Sequence, residues 1–167
     1  MKLLVLLLPL AVVLAAITLT RTRRSGRGDD HGPWPFQVRQ VISRPELILY
    51  QRLQAALPDH IVLAQVQVSR VLGVRKGFDF HAWNNRISRL SYDFVVCARD
   101  GCVLAAIELD DRSHEAADRI EADGRKDRAT AAAGVPLIRW HVRAIPEAAA
   151  IQAQFAGLRP RRPDHDA

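Results

Sequence analysis

The alternation of apolar and polar positions divides the chain into a small set of elements. Ser43-Arg-Pro-Glu46 is a capping box that opens a helix. Leu47, Leu49, Tyr50, Leu53 and Leu57 give that helix an apolar face, and Pro58-Asp59 ends it. Ile61 to Val68 alternates with period two and predicts a strand with Val62, Ala64, Val66 and Val68 on one face. Two further apolar runs flank Asp100-Gly101, a strong hairpin signal because a type I′ turn needs positive φ at both central residues. With those two residues as the loop, Phe94, Val96, Val103, Ala105 and Ile107 share one face of the hairpin. Val95, Leu104 and Ala106 share the other. Strands apolar on both faces need cover on both sides. A long helix from about Ser113 to Ala133, with Gly134 as its C-cap, supplies one cover, and the Ser43 helix helps with the other. Val135 to Trp140 reads as a last strand, and an alanine-rich helix follows Pro146. The order α-β-β-β-α-β predicts an α/β domain with a mixed sheet flanked by helices, in which the right-handed crossover rule limits how the last strand is added.

The hairpin register also carries chemistry. If Arg99 faces Cys102, Asp93 stands opposite Glu108, with Asp110 on the same face. Directly opposed residues have Cβ atoms about 4.5–5.5 Å apart, and like charges there destabilise a sheet. Three carboxylates on one face form a candidate Mg²⁺ or Mn²⁺ site, since Mg²⁺ takes one or two carboxylates and completes its shell with water and phosphate oxygens. The bland alternative is that strand-end carboxylates only solubilise the sheet edge. His114, four residues past Asp110, is a candidate general base or a surface histidine in a first helical turn. Lys126, three residues from Asp123 on the long helix, either stabilises charge on a phosphate or forms a solvated i,i+3 pair. Glu46 is accounted for by the capping box.

Charge and the first apolar run change the picture next. The net charge of +6 allows a nucleic-acid or membrane-surface partner. The Arg70–Leu90 segment mixes cations and aromatics, including Arg75, Lys76, Trp83 and Arg86, a composition that suits phosphate contacts and base stacking. Leu3 to Thr20 is uncharged and apolar, and its roughly 18 residues would span about 27 Å as a helix. Arg21, Arg23, Arg24 and Arg27 follow it, against Lys2 alone before it. The expectation is a single-pass anchor in the inner (cytoplasmic) membrane with the C-terminal domain in the cytoplasm. A cleaved secretory signal is the rival, but Ile17-Thr-Leu-Thr before the arginines is a poor cleavage site. The expected organisation is an anchor over 1–20, a basic linker over 21–36, the α/β domain over 37–146, and a short helix with a disordered basic tail over 147–167. Cys97 and Cys102 match no zinc or redox spacing and read as reduced, packed side chains.

Four stretches taken together carry a resemblance: Asp93-Phe-Val-Val-Cys, Ala-Ile-Glu108-Leu-Asp110-Asp-Arg-Ser-His114, Asp123-Gly-Arg-Lys126-Asp, and Ala-Gly134-Val-Pro-Leu-Ile-Arg139. They resemble bacterial proteins grouped as domain of unknown function 2726, over about Ser43 to Arg139. The resemblance implies the restriction-endonuclease-like PD-(D/E)xK fold and kinship with very-short-patch-repair endonucleases. Members of that group often carry an N-terminal membrane segment. By that likeness Asp93 is the first metal-binding Asp and Glu108 the acidic residue of the (D/E)xK element. Asp110 stands where the lysine belongs, so Lys126 replaces it in space, or His114 takes its role, or the domain binds without cutting. The implied activity is Mg²⁺-dependent hydrolysis of DNA phosphodiester bonds. Asp93 and Glu108 hold the ion, Asp110 orients a water, His114 activates it, and Lys126 or Arg139 neutralises the phosphate. The alternatives are a non-catalytic nucleic-acid-binding module on the same fold and a membrane-tethered interaction protein.

Overall fold

The computed structural model of the chain describes residues 33–111 and 117–162, the side chains of 117–120 excepted. The expected anchor and His114 lie outside these residues. No helix among the described residues is long and apolar enough to cross a membrane. The chain divides into two units, 1–39 and 40–167. In the described part of the first, Trp34 and Phe36 are exposed, with ring centroids 5.7 Å apart.

The second unit is a four-stranded mixed sheet with helices on both faces. In chain order it runs α1 (Arg44–Ala56), β1 (Ile61–Gln67), α2 (Val68–Val71), α3 (Phe80–Asn84), β2 (Ser91–Cys97), β3 (Val103–Asp110), α4 (Ala117–Ala132), β4 (Leu137–His141) and α5 (Ala148–Phe155). The sheet order is β1-β2-β3-β4, antiparallel except for the parallel pair β3–β4 joined through α4. The capping box is present: Ser43 accepts from Glu46 N–H, and the Glu46 carboxylate accepts from Ser43 N–H. On one face of the sheet, Leu49, Leu53 and Ala56 of α1 and Ile151 and Phe155 of α5 pack on Phe94, Val96, Ala105 and Ile107. On the other, Val68, Leu72, Ile87 and Val135 pack on Tyr92, Val95 and Ala106, with Ala129 of α4 partly buried beside them. The core therefore continues past residue 146. Arg52 ties α1 to the turn before α5 by donating to the carbonyls of Ile145 (2.6 Å) and Pro146 (3.1 Å). Beyond α5, Arg161 N–H donates to Val103 O at 2.7 Å.

The hairpin differs from the two-residue expectation. Ala98 N–H donates to Cys102 O at 2.9 Å and Gly101 N–H to Ala98 O at 3.0 Å, which makes Arg99-Asp100-Gly101 a three-residue loop. Gly101 sits at φ +83°, the left-handed position such a loop requires. Cys97 then pairs with Val103, but Val96 pairs with Ala105, so Leu104 is an extra residue on β3. This bulge cancels the one-residue shift of the longer loop, and Phe94 faces Ile107 as expected. It also exchanges two side chains: Leu104 joins the α1/α5 face and Val103 the α4 face, the reverse of the alternating assignment. Both cysteines are free thiols; Cys97 is buried and Cys102 partly so.

A second irregularity lies at the other end of the same strands. β2 pairs with β3 only over Phe94–Cys97. From Phe94 back to Ser91 β2 stays paired with β1, and β3 runs on from Ile107 to Asp110 paired with β4. The sheet thus forks at Asp93 and Glu108. Alternation breaks there on two strands. Tyr92 and Phe94 are both fully buried but on opposite faces, and Val66 packs against the α4 face while Val62 and Ala64 pack against the other. Gln65, between the pairs Ala64–Phe94 and Val66–Tyr92, adopts φ +52°, a left-handed conformation that a non-glycine residue holds only at a cost of about 1–3 kcal/mol.

If α5 belongs to the core, Ile151→Ala costs about 2–5 kcal/mol in urea unfolding, the usual penalty for emptying a buried aliphatic site. A loss below about 1 kcal/mol, as for a peripheral helix, would contradict this packing.

Candidate active site

The site is built into the fork. Where the backbone ladder between β2 and β3 stops, the Asp93 side chain takes over, its Oδ2 accepting from Leu109 N–H at 2.7 Å. Glu108, on the opposite prong, is buried, and Lys126 from α4 reaches across the gap to it. Its Nζ lies 2.6 Å from Glu108 Oε2 and 3.3 Å from Ser91 O, so one ammonium ties both prongs. Lys126 also keeps an i,i+3 contact of 3.8 Å with the exposed Asp123, but the lysine itself is buried rather than solvated. A hydroxyl relay sets its position. Thr130 donates to Lys126 O at 2.6 Å, and that single proton leaves Tyr92 OH as donor to Thr130 Oγ1, also at 2.6 Å. Tyr92 on β2 thereby holds the turn of α4 that carries the lysine.

The electrostatics follow from burial. Desolvation pushes the Glu108 carboxyl up to about 7, against the pull of the Lys126 ammonium, and Asp93 adds to the rise. Desolvation also raises Asp93, opposed by the Leu109 N–H, while the Glu46 and Asp110 charges raise it further. Besides capping α1, Glu46 accepts from the Gln65 amide through Oε1 at 2.8 Å. Glu108 pairs in register with Arg139 of β4. Arg139 is engaged with Asp127 of α4 at 2.5 and 3.3 Å, a bond that raises the guanidinium pKa. Its Nε is 3.8 Å from Asp110.

Asp93, Glu108 and Lys126 therefore come together, and Asp110 and Arg139 flank them. Sequence reasoning missed Gln65, Tyr92 and Thr130. Tyr92 and Thr130 carry no motif of their own, and nothing in the pattern marks Gln65 as different from the other outward residues of β1. Among the described residues, no group of three or more His, Cys, Asp or Glu side chains is arranged to hold a metal ion by itself. Of the two fork carboxylates, Glu108 carries an oxygen, Oε1, that is buried without a hydrogen-bond partner, and such a donor fits a hard cation. An oxygen so placed is costly unless something binds it.

Arg75, Trp83 and Arg86 lie elsewhere, around a groove of about 780 Å³ between the α2–α3 segment and α4. Lys76 is exposed in the same segment and does not line it.

Fold and site together define a mixed α/β protein with a buried acid–lysine pair set in a split sheet. The chain belongs to the family described as protein of unknown function DUF2726, which matches residues 38–158. No curated protein and no solved structure matches the chain.

The raised Glu108 pKa has a stability consequence. The folded state holds this proton more tightly than the unfolded chain does, so the contribution is complete below about pH 4.5 and is lost as pH rises through about 7. In urea unfolding with chelator present, the wild type loses stability relative to Glu108→Gln by about 3 kcal/mol over that range, then levels off. A parallel pH course for the two proteins would contradict the raised value.

Proposed function

We propose that the domain is a metal-dependent nuclease of restriction-endonuclease-like fold, related to very-short-patch-repair endonucleases, that hydrolyses DNA phosphodiester bonds. The observation that carries the reading is Lys126 Nζ at 2.6 Å from Glu108 Oε2. The (D/E)xK pattern needs an ammonium beside its acid. Asp110 occupies the usual place on the strand, and α4 delivers the cation from the other side.

Asp93 and Glu108 would hold Mg²⁺ or Mn²⁺, with the orphaned Glu108 Oε1 as the readiest donor. The ion, when bound, supplies Lewis-acid polarisation of the phosphate and a lowered pKa for water. Lys126 neutralises charge building on the phosphoryl oxygens from a site largely closed to water, where a fixed ammonium is strongest. Asp110, on the outer prong, orients the attacking water, and His114 accepts its proton by the sequence assignment. The water oxygen bonds to phosphorus, the bond to the sugar oxygen breaks, and that oxygen leaves with a proton. Arg139 contributes if phosphate displaces Asp127 from its guanidinium. The apolar run at residues 3–20 would tether this chemistry to the inner membrane.

A second reading, nucleic-acid binding without cleavage, is favoured by one feature. Lys126 Nζ is already engaged by Glu108 Oε2, and Asp110 rather than lysine follows Glu108 on the strand.

The test is cleavage of plasmid and linear DNA by the full chain in mild detergent, with Mg²⁺ or Mn²⁺. The expected result is metal-dependent cutting, abolished in Asp93→Asn and lowered about 10²–10³-fold in Lys126→Met, the usual cost of one preorganised charge. Metal-independent DNA binding with no cutting by a folded protein would move the account to the second reading.

A further inference from the structure

The groove between the α2–α3 segment and α4 is separate from the fork, and the carboxylate chemistry leaves it unexplained. Its volume, about 780 Å³, is that of a small-ligand cleft. Among the described residues, four guanidiniums line it, from Arg75, Arg86, Arg125 and Arg128, against the one carboxylate of Glu121. Two aromatic rings, Phe78 and Trp83, lie within it edge to face, with centroids 6.2 Å apart and planes at 89°. Both rings are substantially exposed. The Arg86 guanidinium carbon sits 4.2 Å from the Trp83 ring centroid, so a cation already rests on the indole. Arg125 spends one nitrogen on Glu121 at 2.6 Å, while its Nε is shielded and has no partner. Nothing in the packing of the sheet calls for this assembly, since Phe78 and Trp83 belong to neither core cluster.

We propose that the groove binds a single, unpaired DNA strand, with a base stacked against Trp83 and its flanking phosphates held by Arg125 and Arg128. The charge balance selects a polyanion. The aromatic faces select bases that are not already stacked on one another, which a closed duplex does not offer. Arg125 and Lys126 are consecutive on α4, so the helix that lines the groove also enters the fork. A strand leaving the groove along α4 is led toward the acid–lysine pair. The substrate of the site would then be DNA with a single-stranded part, an overhang, flap or opened segment, rather than an intact blunt duplex. The inference takes its nucleic-acid ligand from the reading above, and binding measured without metal separates the two.

The test uses the full chain in mild detergent with chelator. Fluorescence anisotropy compares a labelled single-stranded oligonucleotide with the blunt duplex of the same sequence, and tryptophan emission is followed in parallel. Single-stranded DNA is expected to bind at least tenfold tighter and to quench emission. Trp83→Phe keeps most of the binding and loses most of the quenching. Trp83→Ala weakens binding about tenfold, in line with the loss of one base stack. Arg128→Glu changes an exposed side chain that the fold does not need, and it weakens binding and reduces its salt dependence. Equal affinity for duplex and single strand, or binding indifferent to Trp83→Ala and Arg128→Glu, would overturn the groove assignment whether or not the protein cuts DNA. Single-strand binding with this dependence supports the inference even if no metal yields cleavage, and in that case only the hydrolysis reading falls.

Discussion

The ion pair between Lys126 and Glu108 is the interaction around which the molecule is arranged. Both groups are buried, and taking two charges out of water is repaid only when geometry and additional hydrogen bonds are good. Here the ammonium also meets Ser91 O, and Thr130 and Tyr92 fix the turn of α4 that presents it. The pair can form because β2 and β3 separate after Phe94 and Ile107. It also holds the gap at a fixed width, since the same ammonium touches both strands. Removing the lysine would leave a carboxylate buried without compensation, a change that costs about 3–5 kcal/mol unless the group takes up a proton. With its carboxyl at about 7, Glu108 is already close to that exchange at neutral pH. Pair and fork sustain each other, and the site exists only where both are present.

Much of this was legible in the chain, for reasons that differ element by element. The capping box at Ser43, the glycine ending α4 and the hydrophobic strands are local signals, and local physics sets them. The expected Asp93–Glu108 cross-strand pair rested on a register that holds only up to Phe94–Ile107. The loop has three residues rather than two, and the bulge at Leu104 restores the register. A bulge within an all-apolar run leaves no mark on the pattern, because either face accepts Leu104. Val103 and Leu104 were therefore assigned to the wrong faces, and the ladder stops at Phe94–Ile107, one pair short of the expected Asp93–Glu108 pair. The swing of Val66 to the α4 face was hidden for a similar reason. It depends on a positive φ at Gln65, and glutamine does not announce one as glycine would.

Lys126 shows how far spacing can go. Three residues from Asp123 on a helix, it fits a solvated pair as well as an active-site cation. The packing of α4 on the sheet, through Tyr92 and Thr130, buries the lysine against Glu108 while the contact with Asp123 persists. The same packing puts an ammonium beside Glu108 from the helix, although Asp110 rather than a lysine follows Glu108 on the strand. Family membership agrees with the fold boundaries, since the match over residues 38–158 takes in α5 as well as the sheet. That span is the unit whose core α1 and α5 close.

The central claim is that the fork brings Asp93 and Glu108 together to hold a divalent cation, with Lys126 as the neighbouring charge. A crystal of the protein soaked in Mn²⁺ and measured at the manganese absorption edge tests it directly. The account predicts one anomalous peak in the fork, within about 2.0–2.3 Å of an oxygen of each carboxylate. Lys126 Nζ would remain in hydrogen-bond reach of Glu108. A well-ordered fork without a peak, or manganese bound only elsewhere on the molecule, would contradict it.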